Sequence, residues 1–462
     1  MNGIANRKIV VIGAGSAEFG SQSLYGIMQT EGLHGFELHL VDIDADKLEL
    51  ISRLAERMNR DLGADMRIYA TTNREEAFED AGFLILSIAI EREDLWLKDY
   101  QLALEYGITH YAENGGPAAF THTCRNVSAI GPILKDVEKL CPEAVLLNFT
   151  NPMQRICTVI QRLSKVQVIG ICHQITFGYF ILGVLFQKQL GLSFPRNFRF
   201  EWTDEAVELW FDTAREVAKT LEIVAAGINH FTWMLSVKER GSGRDLYPEL
   251  KQKLGNLPES FEPLTQQLFQ IFGMMPVPGD CHLTEYVPYT SDQREKTWER
   301  YDIQFYDLEW GKRRREEGLR RIRKVLAGRE KLDALKPIVS ERAEILIDAI
   351  ANNRHLYEEA LNIPNRGYIT NLPAGAMVEV PGIVTSEGPT GLVVGDLPEA
   401  IAALCRRQIS INELTVEAFQ KGDQRLVHQL FAIDPMIQDP AVAVKLADEY
   451  LALYKDFLPT FV

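Results

Sequence analysis

The sequence predicts an α/β fold: an N-terminal, Rossmann-like doubly wound parallel sheet fused to a mixed α+β C-terminal domain. Two observations carry that expectation. Short apolar runs alternate with helix-period stretches through the first part of the chain, as buried parallel strands and their crossover helices do. The first of these runs ends in a glycine-rich turn, Val10-Val11-Ile12-Gly13-Ala14-Gly15-Ser16, which is where an open α/β sheet gathers its ligands. The 462 residues exceed what one small core encloses. The expected division is 1–195 for the Rossmann-like part and 196–462 for the second domain.

In chain order, strands are expected at 8–13, 37–42, weakly at 66–70, then at 83–90, 144–149 and 166–172. Helical periodicity fills 45–62 and 123–140. Asp44 and Asp46 flank the start of the first of these, where carboxylates favour the positive end of the helix dipole. Pro152 reads as the first residue of the helix after Asn151. In the second part, strands are expected at 221–228, 233–238, 366–372 and 376–381, and charged helical segments at 291–331, 338–360 and 398–425. Neither a repeat nor a low-complexity linker interrupts the chain, so the two parts should share a large interface.

Composition excludes several function classes. A net charge of −15 disfavours nucleic acid, whose affinity rests on cations neutralising phosphates. The basic runs 312–315 and 320–324 sit among acidic residues and read as solvated helix. No apolar run reaches the roughly 18–20 residues that span a bilayer, and the chain enters its first strand almost at once, without a secretory signal. Six scattered cysteines fit a reducing compartment. The expectation is a cytoplasmic protein with no membrane and no nucleic acid partner.

The loop Gly13-Ala14-Gly15-Ser16-Ala17-Glu18-Phe19-Gly20 is G-x-G-x4-G, not the strict dinucleotide fingerprint. Its part would be to bring backbone N–H groups and a helix N-terminus to a pyrophosphate. Asp42 ends the second strand where a carboxylate accepts from an adenosine ribose, favouring NAD. It could instead cap the next helix, although Asp44 is better placed for that.

Cys172 and His173 close one apolar run, and Asn229-His230 closes another. A thiolate and an imidazole from Cys172 and His230 could share one metal with positions left open, the pattern of a catalytic rather than a structural site. Two such ligands do not choose the metal, though sulfur leans towards zinc or iron. Gly279–Tyr289 adds titratable groups and two tyrosines. A tyrosine beside a divalent cation can serve as a base, whereas packing is its commoner use.

The segments Gly13-Ala14-Gly15-Ser16, Asn148-Phe149-Thr150-Asn151-Pro152-Met153, Gly170-Ile171-Cys172-His173, Ala226-Gly227-Ile228-Asn229-His230, Glu285-Tyr286-Val287-Pro288 and Gly367-Tyr368-Ile369-Thr370-Asn371-Leu372-Pro373 together resemble the NAD- and Mn2+-dependent glycosidases of glycoside hydrolase family 4. That family departs from the usual two-carboxylate scheme. The resemblance implies that NAD+ takes hydride from C3 of the sugar, that a cation on the 2- and 3-oxygens acidifies C2, that a base removes the C2 proton, and that the aglycone leaves by elimination. Water then adds and the hydride returns, so NAD+ is resident and not consumed.

Carried onto this chain, the resemblance makes Cys172 and His230 the ligands of Mn2+ or another divalent metal. Tyr286 becomes the base, Asn151 the contact to the hydroxyls near C3, and His173 the acid for the leaving group. Gly13, Gly15, Ser16, Ala17, Glu18, Phe19, Asp42 and Asn148 would border NAD, and Asn229 the sugar. His173 follows the metal cysteine where phosphate-specific branches carry Asp or Asn, which points to an unphosphorylated α-hexoside or α-hexuronide of the α-galactosidase or α-galacturonidase kind. Departures from the family pattern at Glu113–Phe120 and Thr123–Asn126 suggest an anionic C6 substituent, with His122, Arg125 and Arg294 as candidates to hold it. Structural ion pairing is the plainer use of those three. The family also implies a homodimer or homotetramer. Residues 398–462, with Arg366 and Gly375, could serve that interface or simply close the core. An NAD-dependent sugar or 2-hydroxy-acid dehydrogenase is the alternative, because the Rossmann part and Asn151-Pro152 also resemble malate dehydrogenases. A nucleotide sensor would have no use for the open metal position.

Overall fold

The computed structural model describes residues 6–16, 19–109, 113–338 and 340–461. Six parallel strands form the N-terminal half: β1 (Lys8–Ile12), β2 (Glu37–Val41), β3 (Arg67–Thr71), β4 (Phe83–Leu86), β5 (Val145–Asn148) and β6 (Gln167–Gly170), in the order β3-β2-β1-β4-β5-β6. This is the dinucleotide-binding order, with its crevice at the carboxyl ends. Alternate residues of β1 serve opposite cores: Ile9 and Val11 pack on one face, Val10 and Ile12 on the other. Strands buried on both sides read as unbroken apolar runs for that reason.

The sheet does not stop at the end of the first half. β7 (Leu221–Ile228), β8 (Phe231–Glu239), β9 (Met275–Pro276), β10 (Leu356–Pro364), β11 (Met377–Thr385) and β12 (Gly388–Gly391) continue it as β6-β10-β11-β7-β8-β9, with β12 on β11. The join is antiparallel, through Asn362 against Gly170. A second apolar cluster, centred on the helices Ile175–Leu185 and Asp204–Thr220, packs against β7 and β8. Among the described residues, no helix is long and apolar enough to cross a membrane.

The helix expected at 45–62 is Ala45–Leu62, capped by Asp44, which accepts the Lys47 N–H. Several other local expectations need correction. Pro152 stands one position earlier than expected, as the capping residue before Met153–Leu163. The segment 338–360 is not one helix: Ala343–Ala351 is helical and β10 follows. Its charged pair misled because both carboxylates are used inside the sheet. Glu358 takes the Arg342 guanidinium, and Glu359 takes Tyr179 and Arg240. Residues 366–372 form a loop instead of a strand, wound around the Asn365 amide. That side chain accepts from Gly367 and Ile369 N–H and donates towards the carbonyls of Ile369, Leu372 and Pro373. The span 291–331 breaks into Thr297–Arg300 and Leu308–Leu326, the latter capped by Asp307.

Candidate functional site

The glycine turn lies at the carboxyl end of β1. Gly13 and Ala14 N–H both donate to the Val41 carbonyl, and Gly15 N–H donates to Asp42 Oδ2 at 2.7 Å. Gly13 has φ +83°, and a Cβ there would lie 2.0 Å from the Ser87 carbonyl oxygen. Only glycine permits that approach. Asp42 Oδ1 also accepts the Asp44 N–H at 2.9 Å. The carboxylate therefore ties the turn to β2, and each oxygen keeps a second lone pair for a ribose. Ala17 and Glu18 lie outside the described residues, as does the side chain of Phe19. Asn148 is turned inward: its Oδ1 accepts Thr150 N–H and its Nδ2 donates to the Thr150 carbonyl, so it shapes the loop after β5 and offers nothing to a cofactor.

A large cavity opens beside this crevice. Phe149 and Asn151 after β5, Ile171 to Gln174 after β6, and His230 between β7 and β8 line one wall. Trp96, Phe177, Phe200, Trp202, Trp210, Phe211, Tyr306 and Trp310 supply aromatic surface. Of the charged lining residues, six are acids (Glu113, Glu262, Asp280, Glu285, Asp302, Glu341) and two are arginines (Arg199, Arg314). Arg199 pairs with Asp302 and Glu201, and Arg314 reaches towards Asp204 while covering the Trp310 ring.

Cys172 Sγ and His230 Nε2 are 3.3 Å apart. Ligands about 2.3 Å (sulfur) and about 2.1 Å (nitrogen) from one cation, at bond angles of roughly 90–110°, stand about 3.1–3.6 Å apart, so the pair fits one metal. His230 reaches this position from a left-handed backbone, φ +61°, a conformation that costs a non-glycine residue about 1 kcal/mol or more. Burial lowers the His230 pKa well below the ordinary imidazole value, helped by His282 and His173, and keeps the ring neutral as a ligand must be. Burial raises the Cys172 thiol, with Glu341 and Glu379 adding to the shift. A divalent cation would offset this directly. Among the described residues, no group of three or more His, Cys, Asp or Glu side chains could hold a metal. A cation held by Cys172 and His230 would have further positions open to oxygen ligands.

His173 Nδ1 lies 2.5 Å from Glu341 Oε1, and its ring packs on Trp210 and Phe211. Glu341 Oε2 is buried and has no hydrogen-bond partner among the described residues. The His282 ring stacks on His230 at 4.5 Å, and its Nδ1 meets Glu285 Oε1 at 2.7 Å. The other Glu285 oxygen accepts the N–H groups of Asn114 and Gly115. Sequence reasoning missed Glu341, His282 and the part played by Glu285. For His282, its spacing of three residues from Glu285 was the available signal; Glu341 gave none, since only the fold brings it to His173.

Other expected positions fall elsewhere. Tyr286 is not on the cavity wall: its hydroxyl donates to the Asn229 carbonyl at 3.1 Å, its ring stacks on Phe231, and burial pushes the phenol well up. Asn229 is 1% exposed, with Nδ2 on Glu379 Oε2 at 2.8 Å. Arg125 is spent on Asp99 in a two-pronged ion pair at 3.0 and 2.7 Å and lies over the Tyr454 ring. His122 is buried on the same helix, near the Trp96 ring. Arg294 is exposed, outside the cavity.

The description "Family 4 glycosyl hydrolase" matches residues 8–179, and "Family 4 glycosyl hydrolase C-terminal domain" matches residues 225–437. The chain belongs to family 4 of the glycosyl hydrolases. This family 4 glycosyl hydrolase is 29% identical over 493 residues to an alpha-glucosidase of Erwinia rhapontici, with 98% of both chains covered. It is 27% identical over 464 residues to an alpha-galactosidase of Bacillus subtilis (strain 168), covering 98% of this chain and 100% of the relative. Its fold is similar to that of a 6-phospho-alpha-glucosidase from gut microorganisms solved in complex with NAD and Mn2+, with a TM-score of 0.78, 21% identity, and coverage of 99% of this chain and 100% of that one. In this glycosyl hydrolase the two matched regions lie on either side of position 195, while one sheet runs through both.

Proposed function

We propose that this glycosidase hydrolyses an unphosphorylated α-hexoside with resident NAD+ and a divalent cation held by Cys172 and His230. The observation that carries this reading is the thiol and imidazole 3.3 Å apart on a cavity beside the dinucleotide crevice. NAD+ when bound supplies reversible hydride removal at C3, and the cation polarises the neighbouring oxygens. The turn at Gly13 and Gly15, whose own N–H groups are taken by Val41 and Asp42, gives the pyrophosphate a close approach to the start of the helix that follows, and Asp42 meets the ribose. Asn151, on the cavity wall after β5, contacts the hydroxyls near C3. His173, oriented by Glu341, delivers a proton to the departing aglycone oxygen. The C2 proton goes to His282, whose Nδ1 is engaged by Glu285; Tyr286 instead supports the hairpin that carries His230.

The excess of acidic lining residues opposes a phosphate dianion, and both lining arginines already face carboxylates. Neutral hexosides are therefore favoured over hexuronides and over sugars with another anionic C6 group, and the aromatic walls offer apolar faces to the sugar ring. The test is a panel of p-nitrophenyl α-glycosides with Mn2+, NAD+ and a reductant, following nitrophenol and NADH together. Nitrophenol release without net NADH is the expected result. Stoichiometric NADH would replace this reading with the sugar or 2-hydroxy-acid dehydrogenase.

A further inference from the structure

Four adjacent strands meet in one row of residues at the centre of the sheet. Among the described residues, β6 and β10 pair through Gly170 and Asn362 alone, and β11 and β7 through Glu379 and Gly227 alone, while β10 and β11 set Asn362 against Glu379. The row thus begins at the seam between the two halves of the chain, Gly170 against Asn362, and runs on into the second half. Cys172 lies just beyond its Gly170 end and His230 just beyond its Gly227 end. At about 4.8 Å per strand step, three steps separate those ends by about 14 Å. Cys172 Sγ and His230 Nε2 nevertheless come within 3.3 Å. The tip of the β7–β8 hairpin and the chain after β6 therefore lean towards each other across β11 and β10.

The lean has a visible anchor. Asn229, at the tip, donates Nδ2 to Glu379 Oε2 at 2.8 Å, and Asn362 donates Nδ2 to the same oxygen at 3.0 Å. All three side chains are buried. One carboxylate oxygen thus gathers an amide from the hairpin tip and another from the strand that touches β6. The backbone ladders on either side of it are a single residue pair wide, so the shared carboxylate adds a side-chain tie where backbone pairing is short. Tyr286 steadies the tip from its other side, through the Asn229 carbonyl.

We propose that Glu379 is the positioning residue of the metal-ligand pair: its Oε2, shared by Asn229 and Asn362, sets the lean of the hairpin tip that brings His230 to Cys172. Outer partners of metal ligands commonly govern affinity by 10- to 100-fold. The inference rests on the reading of Cys172 and His230 as ligands, and the test keeps the two apart. Mn2+ affinity is measured by electron paramagnetic resonance, the thiolate–cobalt charge-transfer band is recorded with Co2+ as probe, and NAD+ binding to metal-free protein is followed by fluorescence, for wild type, Glu379→Leu, Glu379→Gln and Cys172→Ser.

Glu379→Leu should weaken Mn2+ by about 10- to 100-fold and diminish the cobalt band, with NAD+ affinity unchanged. Glu379→Gln, whose amide oxygen still accepts both donors, should restore Mn2+ binding to within about threefold of wild type. Wild-type Mn2+ affinity in Glu379→Leu overturns the proposal, and so does a Gln variant as impaired as the Leu one. Should Glu379→Leu fail to fold, Asn362→Ala, which removes one arm, must weaken Mn2+ without affecting NAD+; no change there overturns the proposal equally. If Cys172→Ser binds Mn2+ like wild type, the ligand reading itself falls and takes the proposal with it. If only Cys172→Ser loses metal, the positioning role alone fails.

Discussion

Gly13→Ala probes the cofactor turn against an internal control. Gly13 and Gly35 share a positive φ, +83° and +80°, but a Cβ at Gly35 would meet nothing within 4 Å. At Gly13 the added carbon would lie 2.0 Å from Ser87 O, so the two peptides must separate by about 1.4 Å to reach ordinary contact. Neither is free to move: Ser87 N–H is bonded to the Ile12 carbonyl, and Gly13 N–H to the Val41 carbonyl. Gly35→Ala costs only the left-handed conformation, about 1–2 kcal/mol. Gly13→Ala adds overpacking of about 1–3 kcal/mol, for a total of about 2–5 kcal/mol. With an unfolding entropy near 2.1 cal/mol/K per residue, 1 kcal/mol shifts the Tm of a cooperatively melting chain of this length by about 1 °C. Thermal melts should therefore fall by about 1–2 °C for Gly35→Ala and about 2–5 °C for Gly13→Ala. A turn displaced by an ångström should also lose at least about tenfold in NAD+ affinity, or about 1.4 kcal/mol, with Gly35→Ala unaffected. Equal melts and unchanged NAD+ titrations in the two variants would refute the role assigned to the turn.

Three further outcomes are expected. Arg125→Met strands the buried Asp99 carboxylate and should cost about 3–5 kcal/mol in unfolding experiments while leaving KM unchanged; a raised KM on a stable fold would return Arg125 to the substrate. Mn2+ affinity should rise with pH, because burial holds the Cys172 thiol protonated well above its ordinary range and the metal must displace that proton. The slope should approach tenfold per pH unit below the thiol pKa. His230, already neutral, adds nothing to it, and a flat profile in the wild type would contradict thiolate ligation. Glu341→Gln removes the charge facing His173, so glycosides with poor leaving groups should slow by about 100-fold while nitrophenyl glycosides change little; equal slowing of both would exclude His173 as the acid.

The parallel half of the fold was legible because its inner strands are buried on both faces, whereas the edge strand β3, largely exposed, gave only a weak signal. Ile9 to Ile12 are apolar without a break, Asp44 caps its own helix, and the glycine turn follows directly on the strand that announces it, although the contact that demands glycine at position 13 comes from Ser87. β10 was illegible for the opposite reason: Glu358 and Glu359 look helical until Arg342, from the turn before the preceding helix, and Tyr179 and Arg240, from distant parts of the chain, pair with them. The same division runs through the site. Cys172 and His230 could be singled out because each ends an apolar run, whereas Glu341 and Glu379 carried no local signal. Tyr286 and Arg125 matched a pattern but face inward, and no spacing in the sequence distinguishes a wall residue from one behind it.

By itself, then, the sequence determined the Rossmann-like doubly wound sheet, the glycine turn, the cysteine and histidine at strand ends, and the family resemblance, all of which are written in periodicity or in short local motifs. Only the tertiary structure decided that one sheet crosses both halves, that sulfur and imidazole converge over its seam, and that the cavity is lined by acids. Those features depend on side chains up to about two hundred residues apart in the chain, which pattern alone cannot bring together.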